Sequence, residues 1–356
     1  MSKQVHESRG APHFWHVYFL VLALVLAFWY FAAIAARAAA SHASFNSSRS
    51  WYVDGNYDQD DMLHLGCDTA NKHREGYATL FFGAPIRVDD PGGGYKKGVT
   101  RFSATDVPFE GDPMSVKALV KDFIEGYDTC ADPGEYLVVG VGVSNCSIGG
   151  GNSECPGGQS YKTNAWVEAH GAKLAEIIDD IRVWMDPYYL DHAAVRGAWD
   201  MEPAWASYSK TDLWMDGYED GTLWSLLGNY SSDGCEDSRV YNSAVDQNCA
   251  NGYKYSSMWH LVDQHVVEEI PQIYTESQAI RWMRIEEYGN HAKGNGLYFI
   301  GVMAGEGTSN DTVHKAHEEL WDELNNPAGH SPNHASQSML GNGTLLFAMG
   351  HGLHDH

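Results

Sequence analysis

The sequence is poor in basic residues, with 23 Lys and Arg against 47 Asp and Glu and a formal net charge of −24 over 356 residues. No segment clusters the basic residues, which argues against nucleic acid as a partner because nucleic-acid binding depends on neutralising phosphates with Lys and Arg. The chain also lacks GxSxG, HExxH, Walker and CxxC motifs. Serine hydrolases, zincins and NTPases are therefore disfavoured, and we expect no cofactor and no metal.

Long apolar runs are also absent, with one exception at residues 17–36. This run carries no charge, follows Lys3 and Arg9, and precedes a stretch of small residues. The pattern predicts that residues 1–43 are a secretory signal peptide or an uncleaved transmembrane anchor. Either form implies an extracytoplasmic protein, secreted or anchored, which contacts the membrane only through this N-terminal helix.

The chain contains six cysteines, an even number that indicates disulfides in an exported protein. Two pairs would close short polar loops, Cys146 with Cys155 and Cys235 with Cys249, and Cys67 and Cys130 remain for each other. Other connectivities stay open from the sequence alone.

Beyond a linker and N-terminal extension at 44–76, apolar strands alternate with amphipathic helices over 77–350, and a His-rich tail follows at 351–356. The predicted strands are 77–85, 135–145, 193–202, 222–230, 270–275, 297–305 and 343–349. Strands without polar alternation, separated by helices, indicate a parallel sheet covered on both faces. We expect an α/β fold of the TIM-type (β/α)8 class, either incomplete or closed by the 50–60 segment. A doubly wound open sheet is the alternative, although no GxGxxG follows the first predicted strand.

Two carboxylates, Asp200 and Glu202, stand at the end of the third predicted strand in VRGAWDMEPAW, 195–205. Residues two apart on a strand point to the same side, which turns Met201 to the other side. Pro203 ends the strand, so the two acids are expected at its carboxyl end, where parallel barrels build their sites. Two adjacent acids repel each other, which raises the pKa of one of them and suits it to general acid catalysis.

The barrel outline and WDME at a strand end resemble the glycoside hydrolase superfamily of barrels. Family 25 lysozyme-like muramidases carry an Asp-x-Glu at this kind of position, and PQIYT (271–275) and LWSLLGNY (223–230) are similar to their downstream patterns. Together, FFGAP, VGVSN, DMEP and IYTES look most like a group of uncharacterised exported bacterial proteins of that superfamily. The resemblance spans roughly residues 77–305.

By this resemblance, Glu202 would be the general acid, and Asp200 would orient it or stabilise positive charge on the sugar. A glycosidase needs a second partner, which is a carboxylate or the substrate's acetamido group. Glu306, after the sixth predicted strand, is the favoured carboxylate. The predicted substrate-binding residues are those near strand ends: Asn145, Trp199, Trp205, Tyr230 and Tyr274. A structural ion pair with Arg196 is the alternative for the two acids.

Two functions are therefore expected from the sequence. The first is an exported glycoside hydrolase-like protein acting on a cell-wall or extracellular polysaccharide, such as a peptidoglycan-like glycan. The second is a non-catalytic cell-surface barrel with a carbohydrate-binding or structural role. The fold alone does not separate them, because one fold hosts many functions.

Overall fold

The structure is a computed structural model that describes residues 48–72, 76–100, 106–146, 148–149, 161–186, 188–238, 243–265, 267–305, 313–325 and 340–350. The predicted leader, the His-rich tail, Glu306 and Cys155 lie outside these residues. Within these ranges, no helix combines the length and the apolarity needed to cross a bilayer.

Eight described strands pair in parallel and close into a barrel, and three shorter strands form a separate antiparallel sheet. In chain order the strands are β1 (Ser48–Tyr52), β2 (Gly76–Phe81), β3 (Ala84–Asp89), β4 (Tyr95–Thr100), β5 (Asp106–Pro108), β6 (Leu137–Ser144), β7 (Ala193–Met201), β8 (Leu226–Tyr230), β9 (Val267–Glu269), β10 (Phe299–Gly305) and β11 (Leu340–Gly350). The barrel order is β1-β11-β10-β9-β8-β7-β6-β2, and β3, β4 and β5 form the small sheet. The predicted parallel α/β architecture is confirmed, and the open doubly wound sheet is not formed.

Helices alternate with the barrel strands. They are α1 (Gln59–Asn71), α2 (Val116–Cys130), α3 (Asn164–Met185), α4 (Tyr208–Gly221), α5 (Tyr255–Asp263), α6 (Glu276–Tyr288) and α7 (Val313–Asn325). A capping box opens α6, because the Thr275 side chain accepts from the backbone N–H of Gln278 and the Gln278 side chain accepts from the backbone N–H of Thr275. Ser115 caps α2, and Asp112 accepts from the backbone N–H of Met114 in the preceding turn.

The N-terminal boundary of the barrel differs from the expectation. The segment 44–76 was predicted to be a linker and N-terminal extension, with closure of the barrel by residues 50–60 as one possibility. It contains β1 and α1, and β1 closes the barrel by pairing with both β2 and β11. The barrel therefore begins before residue 77, and the chain order of its strands starts one strand earlier than the sequence indicated.

Two internal segments also differ. The Gly- and Pro-rich stretch after β2, predicted to be a loop, forms the antiparallel sheet of β3, β4 and β5. The fifth predicted strand, 270–275, is formed in part. The strand β9 ends at Glu269, but the backbone N–H groups of Ile270 and Gln272 still donate to β8, and that of Ile273 donates to Met303 of β10. Pro271 has no N–H for the ladder, and its carbonyl accepts from the backbone N–H of Met303.

Side-chain alternation along the strands separates the barrel interior from the helix layer. Phe81 and Ala198 belong to a small inner cluster, whereas the neighbouring Met201 joins the large cluster beneath the helices. Gly142 of β6 points inward, since an added Cβ would lie 2.3 Å from the Phe81 ring. Glycine at this position leaves the interior space that the Phe81 ring fills.

Two predicted disulfides are confirmed, Cys67–Cys130 between α1 and α2 and Cys235–Cys249 in the loop after β8. The predicted Cys146–Cys155 pair stays a prediction, because Cys155 lies outside the described residues. A cross-link acts mainly by restricting the unfolded chain, so the 63-residue separation of the first pair favours a large effect.

Glycines allow α3 and α4 to approach to backbone contact. A Cβ added at Gly171 would lie 2.0 Å from the carbonyl oxygen of Trp214, and one added at Gly217 would lie 2.0 Å from the carbonyl oxygen of Glu168. Both distances are far below van der Waals contact, and the obstacle is backbone that cannot rotate away. The two helices therefore require glycine at both positions.

We predict that Gly217→Ala lowers the free energy of unfolding by about 2 kcal/mol, because the added methyl forces the helices apart. The gain of about 1 kcal/mol in helix propensity offsets only part of this loss. Urea denaturation of the variant measures the change. Asp220→Ala, at an exposed position of the same helix, is the matched control and should change stability by less than about 0.5 kcal/mol. A Gly217→Ala variant as stable as the parent would contradict the close approach.

Candidate functional site

Asp200 lies on the inner face of β7 near its carboxyl end, opposite Ser144 of β6 and Asn229 of β8. Its side chain is fully buried. Three donors from different parts of the barrel reach the carboxylate: the Tyr52 hydroxyl at 3.3 Å, the Asn229 amide at 3.3 Å and the Gln272 amide at 3.0 Å. These donors fix the carboxylate and favour its ionised form.

Glu202 follows one residue after β7 and is partly exposed. Asn145, at the end of β6, holds its backbone on both sides. The Asn145 side-chain amide donates to the Glu202 carbonyl at 3.0 Å, and its side-chain oxygen accepts from the Glu202 N–H at 3.0 Å. The Asn145 backbone N–H also donates to the Asp200 carbonyl at 3.0 Å. One buried residue therefore positions both acids.

Burial raises the pKa of both carboxyls above their ordinary values. For Asp200, desolvation is opposed by the hydrogen bonds from Tyr52 and Gln272. For Glu202, the largest cause of the raised pKa is desolvation, and the next are the negative charges of Asp200 and Asp233. Hydrogen bonds from Ser231 and Gln272 oppose the rise. Because Glu202 faces two like charges, we expect Glu202 to keep its proton while Asp200 ionises.

Tyrosine side chains line the same end of the barrel. Tyr52 and Tyr274 are partly exposed and pack against the inner hydrophobic cluster. Burial and the neighbouring acids raise the pKa of both hydroxyls, so both keep their protons. Tyr274 lies beside the charges of Asp200 and Glu202, and its role as a substrate contact stays a prediction.

Arg196 does not neutralise the two acids. It lies on the same face of β7 toward the amino end of the strand, where its guanidinium pairs with Glu268 and donates to Ser225 at 2.8 Å. The proposed structural ion pair between Arg196 and the acids is therefore not formed. The Arg196–Glu268 ion pair lies toward the amino ends of the strands, whereas Asp200 and Glu202 lie at the carboxyl end of β7.

Two predicted substrate contacts, Trp199 and Tyr230, point away from the barrel interior. Trp199 is fully buried and stacks on Trp214 of α4, with ring centroids 3.6 Å apart. Tyr230 is also fully buried, and its hydroxyl lies 3.4 Å from the sulfur of Met215. Both rings belong to the layer between strands and helices, because their neighbours along the strands face inward.

The remaining predicted contacts divide into two groups. Asn145 is fully buried and its amide is used by Glu202 and Thr211, so it positions the acids and is not free for a sugar. Trp205 lies in the turn after β7, where its backbone N–H donates to the Glu202 carbonyl. Trp205 is partly exposed, so its role as a substrate contact stays a prediction. Glu306 lies outside the described residues and stays a prediction.

The sequence analysis did not select the side chains that hold the acids. Asn229 and Gln272 were inside the quoted segments LWSLLGNY and PQIYT, but the adjacent tyrosines were chosen instead. Ser231 follows β8 and is also fully buried beside Glu202. The alternation of side chains along the strands explains the place of Asn229: it pairs in register with Asp200 and therefore shares its face.

Comparison with known proteins gives a likeness at the level of structure. No protein-family model and no curated protein matches the sequence. Among solved structures, the chain is similar to a catalytic-site mutant of active domain 2 of a thermostable chitinase from Pyrococcus furiosus, solved with chito-oligosaccharides. The identity is 12%, the match covers 86% of this chain and 82% of that chain, and the TM-score is 0.43. This likeness is to a chitinase domain and not to a family 25 muramidase, and at this strength it assigns no activity.

We predict that Asn145→Ala impairs any reaction carried by Glu202 more than it impairs folding. Loss of both amide contacts frees the Glu202 backbone, and a displacement near 1 Å at a reacting group costs about 100-fold in rate. Asn145→Asp is the matched control, because it keeps the acceptor for the Glu202 N–H and loses only the donor. Turnover measured beside thermal unfolding separates the two effects. Equal turnover in the folded Asn145→Ala protein would refute the positioning role.

Proposed function

We propose that this protein is an exported glycoside hydrolase-like enzyme that acts on a cell-wall or extracellular polysaccharide. The observation that carries the proposal is the pair of carboxyls at the carboxyl end of β7, with Asp200 buried among hydrogen-bond donors and Glu202 open toward the mouth. Environments that push two carboxyl groups toward different protonation states assign an acid and an ionised partner. Glycosidic bond cleavage uses such a pair.

In the proposed reaction, the protonated Glu202 donates its proton to the glycosidic oxygen as the bond to the anomeric carbon breaks. The leaving sugar departs as an alcohol, and positive charge develops at the anomeric carbon and the ring oxygen. The ionised Asp200 stabilises that charge. Water then adds to the anomeric carbon and gives a proton to the Glu202 carboxylate, which completes hydrolysis and restores the acid. The second partner on the other side of the sugar would be Glu306 or the substrate's own acetamido group.

Export is part of the proposal. The two disulfides found among the described residues are typical of proteins that fold in oxidising compartments. Together with the predicted leader at 1–43, they support a secreted or membrane-anchored location. A large insoluble polysaccharide outside the cell is the substrate class that fits such a location.

The test is incubation of the purified protein with peptidoglycan, chitin and simple glucans, followed by measurement of reducing ends. Release from at least one polymer, reduced in Glu202→Gln, supports the proposal. A second candidate, a non-catalytic carbohydrate-binding barrel, is favoured by the complete burial and triple hydrogen bonding of Asp200. Polymer binding in a sedimentation assay without release of reducing ends would replace the enzyme by this binding barrel.

A further inference from the structure

A cluster of potential metal ligands lies in the helix layer, apart from the carboxyl pair at the barrel mouth. Asp212 belongs to α4, His260 belongs to α5, and His265 lies in the connection between α5 and β9. Each residue offers one ligand atom, and these atoms all lie within 4.8 Å of one another. Three chain segments separated in sequence therefore converge on one point.

Two of the three distances within the cluster match a tetrahedral metal site. The Asp212 Oδ1 atom lies 3.3 Å from His260 Nε2 and 3.2 Å from His265 Nε2. Ligand atoms that each bind Zn²⁺ at about 2.0–2.1 Å in tetrahedral geometry are about 3.3 Å apart. The two imidazole rings stand almost perpendicular, at 88°, with centroids 5.5 Å apart, and the Nε2 atoms of both lie near the same carboxylate oxygen.

Two neighbouring side chains support the cluster. Glu219, two turns after Asp212 on α4, places Oε2 at 3.1 Å from His265 Nδ1, an ion-pair distance at which the two atoms are not aligned for a hydrogen bond. Carboxylates beside a metal-binding His are its usual outer support, and Glu219 stands in that place. Tyr208 donates its hydroxyl to Asp212.

Exposure of the cluster allows a metal ion to enter. His265 is 5% exposed, whereas Asp212 and His260 are 27% and 39% exposed. Because Asp212 and His260 are partly exposed, a metal ion can reach the cluster from solvent. The same side has room for a water molecule as a fourth ligand. Two imidazoles and one carboxylate suit divalent transition metals and not Ca²⁺ or Mg²⁺, which prefer oxygen.

From this geometry we propose that Asp212, His260 and His265 bind one Zn²⁺ ion, which joins α4 to α5 and to the segment entering β9. No metal was expected from the sequence, which has no CxxC or HExxH motif. These three ligands follow no short motif, since Asp212 and His260 are 48 positions apart. The site is independent of the proposed hydrolase function, since it shares no residue with the acid pair.

The test uses the full-length protein, stripped of metal with a chelator and titrated with Co²⁺ as a spectroscopic substitute for Zn²⁺. We expect the wild type to bind one more equivalent of Co²⁺ than His265→Gln and His260→Gln, with visible absorption typical of tetrahedral Co²⁺. The wild type and these two variants share all other histidines, so the difference in bound Co²⁺ between them reports on this site alone. His64→Gln, which removes an exposed His on α1, is the matched control and should titrate as the wild type.

Further readouts keep the test decisive. Circular dichroism establishes whether each variant is folded. If His265→Gln does not fold, the Co²⁺ titration of His260→Gln, which changes a more exposed residue, decides the test. Glu219→Gln should still bind, with affinity weakened about 10–100-fold. Zn²⁺ should raise the thermal midpoint of the wild type and of Glu202→Gln alike. Equal Co²⁺ uptake and equal spectra in the wild type and both His variants would overturn the site and leave an ion-pair cluster only.

Discussion

Replacing Glu202 by Gln is expected to lower kcat/KM for polysaccharide hydrolysis by about 10²–10⁴-fold, the usual contribution of a general acid. The amide has nearly the same shape as the carboxyl group, so the backbone contacts with Asn145 are kept. It has no proton that can be transferred to the glycosidic oxygen. The loss should therefore appear in kcat, with little change in the binding of the polymer.

The measurement is the rate of reducing-end release on the polymer that the wild type degrades. Glu168→Gln, an exposed position on α3, is the matched control and should keep full activity. An aryl glycoside with a good leaving group makes the test sharper, because its leaving oxygen needs little protonation. The variant should therefore keep much more of the wild-type activity on this substrate than on the polymer. A folded Glu202→Gln protein with wild-type rates on both substrates would remove Glu202 from the mechanism.

The position of the acid pair could be derived from local sequence because it depends on short-range geometry. Residues two apart share a strand face, and Pro203 ends strand pairing, so both acids reach the carboxyl end together. The same geometry also predicts that Met201 faces the helices, and it is buried there. These features need only the period of a strand and no knowledge of the rest of the fold.

The rejected aromatic contacts show where the same rule was not applied. If Asp200 faces the interior, then Trp199 must face outward, and this follows from the sequence alone. Trp199 was chosen because aromatic side chains stack on sugars, although its strand position excluded it. Tyr230 faces outward because Asn229 pairs in register with Asp200, and that register is known only from the structure.

Other features depend on long-range pairing that no local pattern encodes. β1 reads SRSWY, with three polar residues in five, and only its parallel partners β2 and β11 make it a barrel strand. The Tyr52 hydroxyl that reaches Asp200 comes from a residue 148 positions away. Likewise, the zinc cluster joins helices that only the closed barrel brings together. A single sequence contains no information on which of many distant polar residues meet.

Asp200→Asn is expected to stabilise the fold at pH 8 while it impairs catalysis. Burial raises the pKa of Asp200 to about 7. A carboxyl whose pKa is higher in the folded state than in the unfolded state destabilises the fold as pH rises from the unfolded value, near 4, through the folded value. The neutral amide avoids this cost, which is on the order of 4 kcal/mol at pH 8 and vanishes below about pH 4.

Hydrogen bonding does not oppose this substitution. The Asn oxygen can accept from Asn229 and Gln272 as Asp200 does, and the Asn amide can donate to the Tyr52 hydroxyl, which rotates to accept. The measurement is the free energy of unfolding of wild type and variant between pH 4 and pH 8. The difference between the two proteins isolates Asp200 from the other buried carboxyls, Glu269 and Glu286, whose pKa values are also raised by burial.

The same variant should also shift the pH dependence of any remaining hydrolysis. The charge of Asp200 is the largest cause after burial that holds the pKa of Glu202 high. Without that charge, Glu202 loses its proton at lower pH, so the alkaline limb of the activity profile moves toward acid. Serving as control, Asp220→Asn on the exposed surface of α4 should leave both profiles unchanged. An Asp200→Asn protein whose stability difference is flat with pH, and whose alkaline limb is unmoved, would show that the two carboxyls are not electrostatically coupled.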